Sequence, residues 1–187
     1  MSIKSMIFKA IILASALPAM AAAPTLLDVS YRPLAGKSPV NLNQQQGGKV
    51  LLIVNTASKC GFTPQYEALE ALQQQYGAEG FAVLGFPSND FRGQEPGTEA
   101  QIQEFCTLTY GVKFPMYEKV HVTGPETTAL YQRLHDATGV SPAWNFHKYL
   151  VARDGRVVGN WPSKVKPDDP DLVAAIKREL KAPVPKR

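Results

Sequence analysis

The sequence predicts an α/β fold built on a central mixed β-sheet with helices on its faces. Three observations carry this: two unbroken apolar runs of strand length, a helical period between them, and an Asp-Gly hairpin signal followed by an amphipathic segment. Gly47-Gly48, after Gln44 to Gln46, reads as a turn ahead of the first core strand. The run VLLIV over 50–54 and the run FAVLGF over 81–86 are continuous rather than alternating, as in strands covered on both faces. Between them Leu69, Leu72 and Tyr76 recur at helical spacing, with Thr63 as N-cap and Pro64 as first helical residue. A β-α-β unit of this kind makes a parallel pair with a right-handed crossover. Thr98 and Gln101 form a capping box that opens a second helix, whose apolar side includes Ile102, Phe105 and Cys106. A third helix is expected over 127–138. Segments 148–153 and 156–161 flank Asp154-Gly155, a two-residue hairpin signal, and 171–181 closes the chain as an amphipathic helix. That order of elements is thioredoxin-like.

Composition excludes other classes. The chain has 187 residues, 44% hydrophobic and 19% charged, with two Cys, which suits one ordinary core and rules out a disulfide framework. Lys4 and Lys9 precede an apolar stretch over 10–20, and Ala19-Met20-Ala21 supplies a small-x-small cleavage pattern. Residues 1–21 are therefore read as a signal peptide and 22–187 as a single domain exported to the periplasm. The stretch is too short to span a bilayer and contains Pro18, so no stable membrane anchor is expected. Its removal takes away two Lys and no acid, lowering the formal charge from +4 to +2. Lys177, Arg178 and Lys181 accompany the last helix as solvated charge, and no basic stripe for nucleic acid is present. Pro183 and Pro185 mark a loose tail.

Cys60 falls in the turn between the first core strand and the following helix. Ligand sites of such sheets lie at the carboxyl ends of strands, and a helix N-terminus offers unpaired N–H groups and a partial positive charge. A thiol there is biased toward thiolate. Ionisation alone accelerates little. Lowering a thiol pKa from about 8.5 to about 6 raises the thiolate fraction at pH 7 roughly 30-fold, while intrinsic nucleophilicity falls roughly 13-fold. Further acceleration requires fixed neutral donors aimed at the charge that develops on the leaving atom.

The segments Asn55-Thr-Ala-Ser-Lys-Cys60-Gly-Phe-Thr-Pro, Phe86-Pro-Ser-Asn-Asp-Phe-Arg-Gly-Gln94-Glu-Pro-Gly97 and Trp144-Asn145-Phe146 resemble the three signature blocks of the glutathione peroxidase family, in order and at similar separations. The resemblance covers roughly residues 25–165 and extends to Lys113-Phe114-Pro115. It implies a thiol peroxidase of bacterial, exported, two-Cys thioredoxin-dependent type, reducing hydrogen peroxide and organic or lipid hydroperoxides. It implies Cys60 as the peroxidatic residue, with Gln94, Trp144 and Asn145 completing a tetrad around its sulfur. Indole and amide N–H groups suit that task because they polarise a peroxide oxygen without adding charge. It also implies Cys106, 46 positions beyond Cys60, as the resolving residue that condenses with a Cys60 sulfenic acid to a disulfide. A thioredoxin-like protein or glutathione would then restore the thiols. No cofactor or metal is implied.

Alternatives remain at this level. Cys106 also fits a buried core thiol or a permanent disulfide, and the Cys pair also fits a non-enzymatic redox sensor. A Cys-x-x-Cys oxidoreductase is disfavoured because Thr63 stands at the fourth position of Cys60-Gly-Phe-Thr63. Ser88 stands where many relatives carry a further Cys, and Asp90 replaces a common Gln, placing a negative charge near the site. His147 follows the Trp-Asn-Phe block as a solvent-facing strand residue, and His121 and His135 lack metal-ligand spacing. The stretch 114–144 is short relative to tetrameric family members, so a monomer or weak dimer is expected.

Overall fold

In the computed structural model, which describes residues 25–184, chain order runs from a short antiparallel pair, β1 (Ser30–Tyr31) and β2 (Val40–Asn41), through α1 (Leu42–Gln46) to β3 (Val50–Thr56). There follow α2 (Gln65–Tyr76), β4 (Phe81–Pro87), α3 (Glu99–Tyr110), α4 (Ala129–Thr138), β5 (Lys148–Val151), β6 (Val157–Trp161) and α5 (Pro170–Leu180). The expected export signal and Pro185 lie outside the described residues.

The main sheet has the order β4-β3-β5-β6. β3 and β4 pair in parallel from Val50↔Phe81 to Thr56↔Pro87, while β5 lies antiparallel to both β3 and β6. This is the mixed, thioredoxin-like sheet expected. All seven residues of β3 are buried, because side chains alternate between two covered faces. Val50, Leu52 and Val54 face α2, α3 and α5 through Leu69, Ile102, Cys106 and Ile176. Leu51 and Ile53 face the opposite layer, with Tyr31, Leu130, Tyr131 and Leu134. Gly85 permits one close approach: a Cβ there would collide with Met116 Sδ, and its backbone pairs with Pro115 and Tyr117 instead.

Several boundaries differ from the sequence reading. Gly47-Gly48 form the expected turn ahead of β3, but the residues before it, Leu42–Gln46, make a single helical turn that the sequence reading does not foresee, capped where Asn41 Oδ1 accepts from the Gln44 N–H. Thr63 does not cap α2; its hydroxyl is committed to the Cys60 turn, and the helix begins at Gln65. Thr98 and Gln101 do form the capping box of α3. The β5–β6 connection is longer than two residues. Val151 pairs with Val157 after a register shift, and Gly155 adopts φ +89° inside a five-residue loop over 152–156. α5 starts at Pro170, one residue before the expected start, behind an Asp169 cap.

Candidate active site

The strand-turn-helix junction after β3 fixes Cys60. Its N–H donates to Thr63 Oγ1 at 3.0 Å, Thr63 Oγ1 donates to Ala57 O at 2.9 Å, and the Thr63 N–H donates to Cys60 O at 3.0 Å. The Phe62 N–H donates to Cys60 Sγ at 3.4 Å. That main-chain donor, invisible to a reading of side-chain types, comes from the turn that leads into α2. Cys60 is 9% exposed, buried but at the edge of the core rather than within it. Two clefts flank the turn. One, about 300 Å³, is lined by Gly61, Phe62, Pro64, Lys164 and Lys166; the other, about 400 Å³, by Ser58, Lys59, Glu95 and Phe105.

Gln94 and Asn145 come together from distant stretches of chain. Asn145 Nδ2 donates to Gln94 Oε1 at 2.9 Å, and the Lys59 N–H donates to Gln94 O at 3.0 Å, tying the Gln94 loop to the residue before Cys60. Asn145 is fully buried, and its Oδ1 makes no hydrogen bond among the described residues. Trp144 is half-buried, packs against the core cluster that contains Cys60, lies 5.6 Å from the Phe91 ring and carries the Arg92 guanidinium 5.4 Å from its ring centre. Among the described residues, the hydrogen bond to the sulfur comes from Phe62 alone. The amides of Gln94 and Asn145 bond to each other.

Asn55, at the end of β3, holds the Trp144 turn. Its Nδ2 donates to Trp144 O at 3.1 Å, its Oδ1 accepts from the His147 N–H at 3.1 Å, and its O accepts from the Phe146 N–H at 2.7 Å. Phe146 sits at φ +63°, the left-handed region that a bulky residue occupies only when its surroundings require it.

Cys106 lies wholly buried on α3, and both cysteines are free. Burial pushes the Cys106 thiol up to about 11, with Glu95 adding to the rise and Tyr66 opposing it. Tyr66 forms the wall beside it, with ring centres 5.5 Å from Tyr110 and 5.3 Å from Phe146. Glu95 is itself fully buried, and both its carboxyl oxygens lack hydrogen bonds among the described residues. Burial raises its pKa, with Ser58 opposing.

Two expectations are corrected. Asp90 does not direct its charge at Cys60: its carboxylate accepts from the Val122 N–H at 2.6 Å and the Thr123 N–H at 3.2 Å, and meets His121 Nδ1 at 2.7 Å. His147 is not solvent-facing but 4% exposed, because the Asn55 bonds draw its backbone inward. Burial, with Lys148 adjoining, pushes its pKa down to about 4. Ser88 is fully buried, its N–H bonded to Thr56 O. Among the described residues no three His, Cys, Asp or Glu gather as a metal site, and no helix is long and apolar enough to cross a membrane.

A hydroperoxy fatty acid reductase of Synechocystis is 48% identical to this chain over 83% of its length and 96% of the relative's. Thioredoxin/glutathione peroxidase BtuE of Escherichia coli is 44% identical over 71% and 86% respectively. Among solved structures, the apo crystal structure of Trgpx superposes with a TM-score of 0.70 at 35% identity, covering 87% of this chain and all of that one. The family model described as glutathione peroxidase matches residues 26–135, which contain Cys60, Gln94 and Cys106. With more than half of its length matched to that model and relatives near half identity, the chain belongs to the glutathione peroxidase family.

Proposed function

We propose that the chain is a thiol peroxidase that reduces hydrogen peroxide and organic or lipid hydroperoxides through Cys60. The Cys60 sulfur attacks one peroxide oxygen. The O–O bond breaks, the other oxygen leaves as water or alcohol after taking up a proton, and Cys60 becomes a sulfenic acid. Cys106 then attacks that sulfur, water leaves, and a Cys60–Cys106 disulfide forms. A thioredoxin-like dithiol or glutathione reduces the bond and restores both thiols.

The observation that carries this reading is the Cys60 turn itself: a sulfur after the carboxyl end of β3, held by a main-chain N–H, with the Gln94 loop tied to the adjacent Lys59 N–H and Gln94 in turn bonded to Asn145. Trp144, Gln94 and Asn145 act as neutral donors to the departing oxygen, the two amides exchanging their mutual bond for that contact as the reaction proceeds. Cys106 demands more. Its thiol is buried and held protonated, and a local opening of α3 that exposes it is the step that lets it ionise and meet Cys60 in ordinary disulfide geometry. The relative named for hydroperoxy fatty acids supports lipid peroxides as substrates, and the one named for thioredoxin and glutathione supports a thiol donor. The chain acts in the periplasm as a monomer or weak dimer after removal of residues 1–21. In that oxidising compartment it depends on a dedicated supply of dithiol.

The test is peroxide consumption with thioredoxin and with glutathione side by side. The expected result is faster turnover with thioredoxin, abolished in Cys60→Ser and arrested after one oxidation in Cys106→Ser. Catalytic consumption by Cys60→Ser overturns the proposal.

A further inference from the structure

Lys148 is a lysine in the centre of the sheet, 0% exposed, on β5 between β3 and β6. Its register partners are Val54 and Trp161. Among the described residues no carboxylate lies within ion-pair distance of it. A buried ammonium without a counter-ion is costly, and the chain offsets that with two short bonds. Nζ donates to Phe146 O at 2.7 Å and to Val165 O at 2.7 Å.

These bonds end on particular places. Phe146 is the residue in the left-handed conformation, directly after Trp144-Asn145. Val165 lies between Lys164 and Lys166, which line the cleft beside Phe62. The same turn is gripped from its other side by Asn55 at Trp144 O, Phe146 N–H and His147 N–H. Four main-chain groups of residues 144–147 are therefore held by just two residues. A turn carrying a strained residue relaxes when its restraints are removed, and Trp144 and Asn145 move with it.

We infer that Lys148 and Asn55 form a clamp that positions Trp144 and Asn145 for the peroxide-reducing step, Lys148 acting through Phe146 O and touching no substrate. The inference rests on the proposed role of that pair. The clamp tolerates a change of protonation, because a neutral amine still has two N–H groups for two carbonyls. The burial-lowered pKa of Lys148, about 7, accords with that arrangement.

Lys148→Met keeps the side-chain length and removes both donors. The experiment compares it with the wild-type chain in a ping-pong assay well below the melting temperature of each, resolving the second-order constants for hydrogen peroxide and for thioredoxin. The clamp predicts a fall of about 10- to 100-fold in the peroxide constant with the thioredoxin constant within about twofold of wild type. Equal constants, or both falling together with the folded fraction, overturn it. In a Trp161→Phe background, Lys148→Met is expected to increase acrylamide quenching of Trp144 fluorescence; unchanged quenching overturns the clamp even should the wild-type chain consume no peroxide, a result that strikes the proposed function instead. If Lys148→Met fails to fold, Asn55→Ser, which withdraws the amide Nδ2 donor, is read by the same measurements and criteria.

Discussion

Asn145 Nδ2 donates to Gln94 Oε1 at 2.9 Å, joining loops 51 residues apart in the chain beside the Cys60 turn. In the reduced protein Asn145 Nδ2 is engaged by Gln94 while Asn145 Oδ1 makes no hydrogen bond among the described residues, and the sulfur takes its hydrogen bond from Phe62. The donors are thus stored rather than spent. Replacing either Gln94 or Asn145 by Ala is expected to lower the second-order constant for peroxide about 100-fold, in line with losing one donor to a developing oxyanion. Since the two act as a unit, the double variant falls by much less than the product of the single losses. Stopped-flow oxidation of the reduced protein checks this.

The Cys60 turn depends on Thr63. Thr63→Val leaves the buried Cys60 N–H and the Ala57 carbonyl unpaired, and is expected to destabilise the protein by about 1–3 kcal/mol. Urea unfolding reads the difference, with an unchanged m-value.

Cys106 is held as a thiol by its surroundings, its pKa raised to about 11 chiefly by burial. The resolving step needs its thiolate. The rate of disulfide formation after one equivalent of peroxide is therefore expected to rise about tenfold per pH unit from pH 6 to 8, as the thiolate fraction does. Quenched-flow trapping of free thiols follows it, and a flat profile places the limiting step in the opening of α3 instead.

Lys148 makes stability depend on pH in an unusual direction. Below pH 7 it is charged in both the folded and unfolded chains, and the folded chain bears the full penalty of burial. From pH 7 to about 10.5 only the unfolded chain binds the proton, so this site's contribution to stability rises with pH. The wild-type chain is accordingly expected to gain about 3 kcal/mol relative to Lys148→Met between pH 6 and pH 9, measured by denaturant unfolding of both proteins.

How far the sequence led is decided by what each feature depends on. β3, β4, α2 and α3 are legible because a continuous apolar run, a helical period and a capping box are local signals. The β1–β2 pair and α1 are not, since strands of two residues have no period to read. Cys60 can be placed from its strand-turn-helix context, whereas Gln94, Trp144 and Asn145 are picked out only by resemblance, because nothing local says that loops so far apart meet. His147 reads as a solvent-facing strand residue, and nothing in the sequence marks the burial of Lys148. Their burial follows from carbonyls and amides contributed by Val165, Phe146 and Asn55, partners no residue pattern displays. Asp90 misleads for the same reason, its charge being absorbed by His121 and the amides of Val122 and Thr123.

The central claim is that the Cys60 sulfur is the atom peroxide oxidises. Mass spectrometry of peptides from reduced Cys106→Ser protein, treated with one equivalent of hydrogen peroxide and trapped with a sulfenic-acid reagent, tests it most directly. The expected result is one oxygen-derived adduct on the Cys60 peptide, formed within the dead time of manual mixing. An unmodified Cys60 peptide from protein that has nonetheless consumed the peroxide contradicts the account.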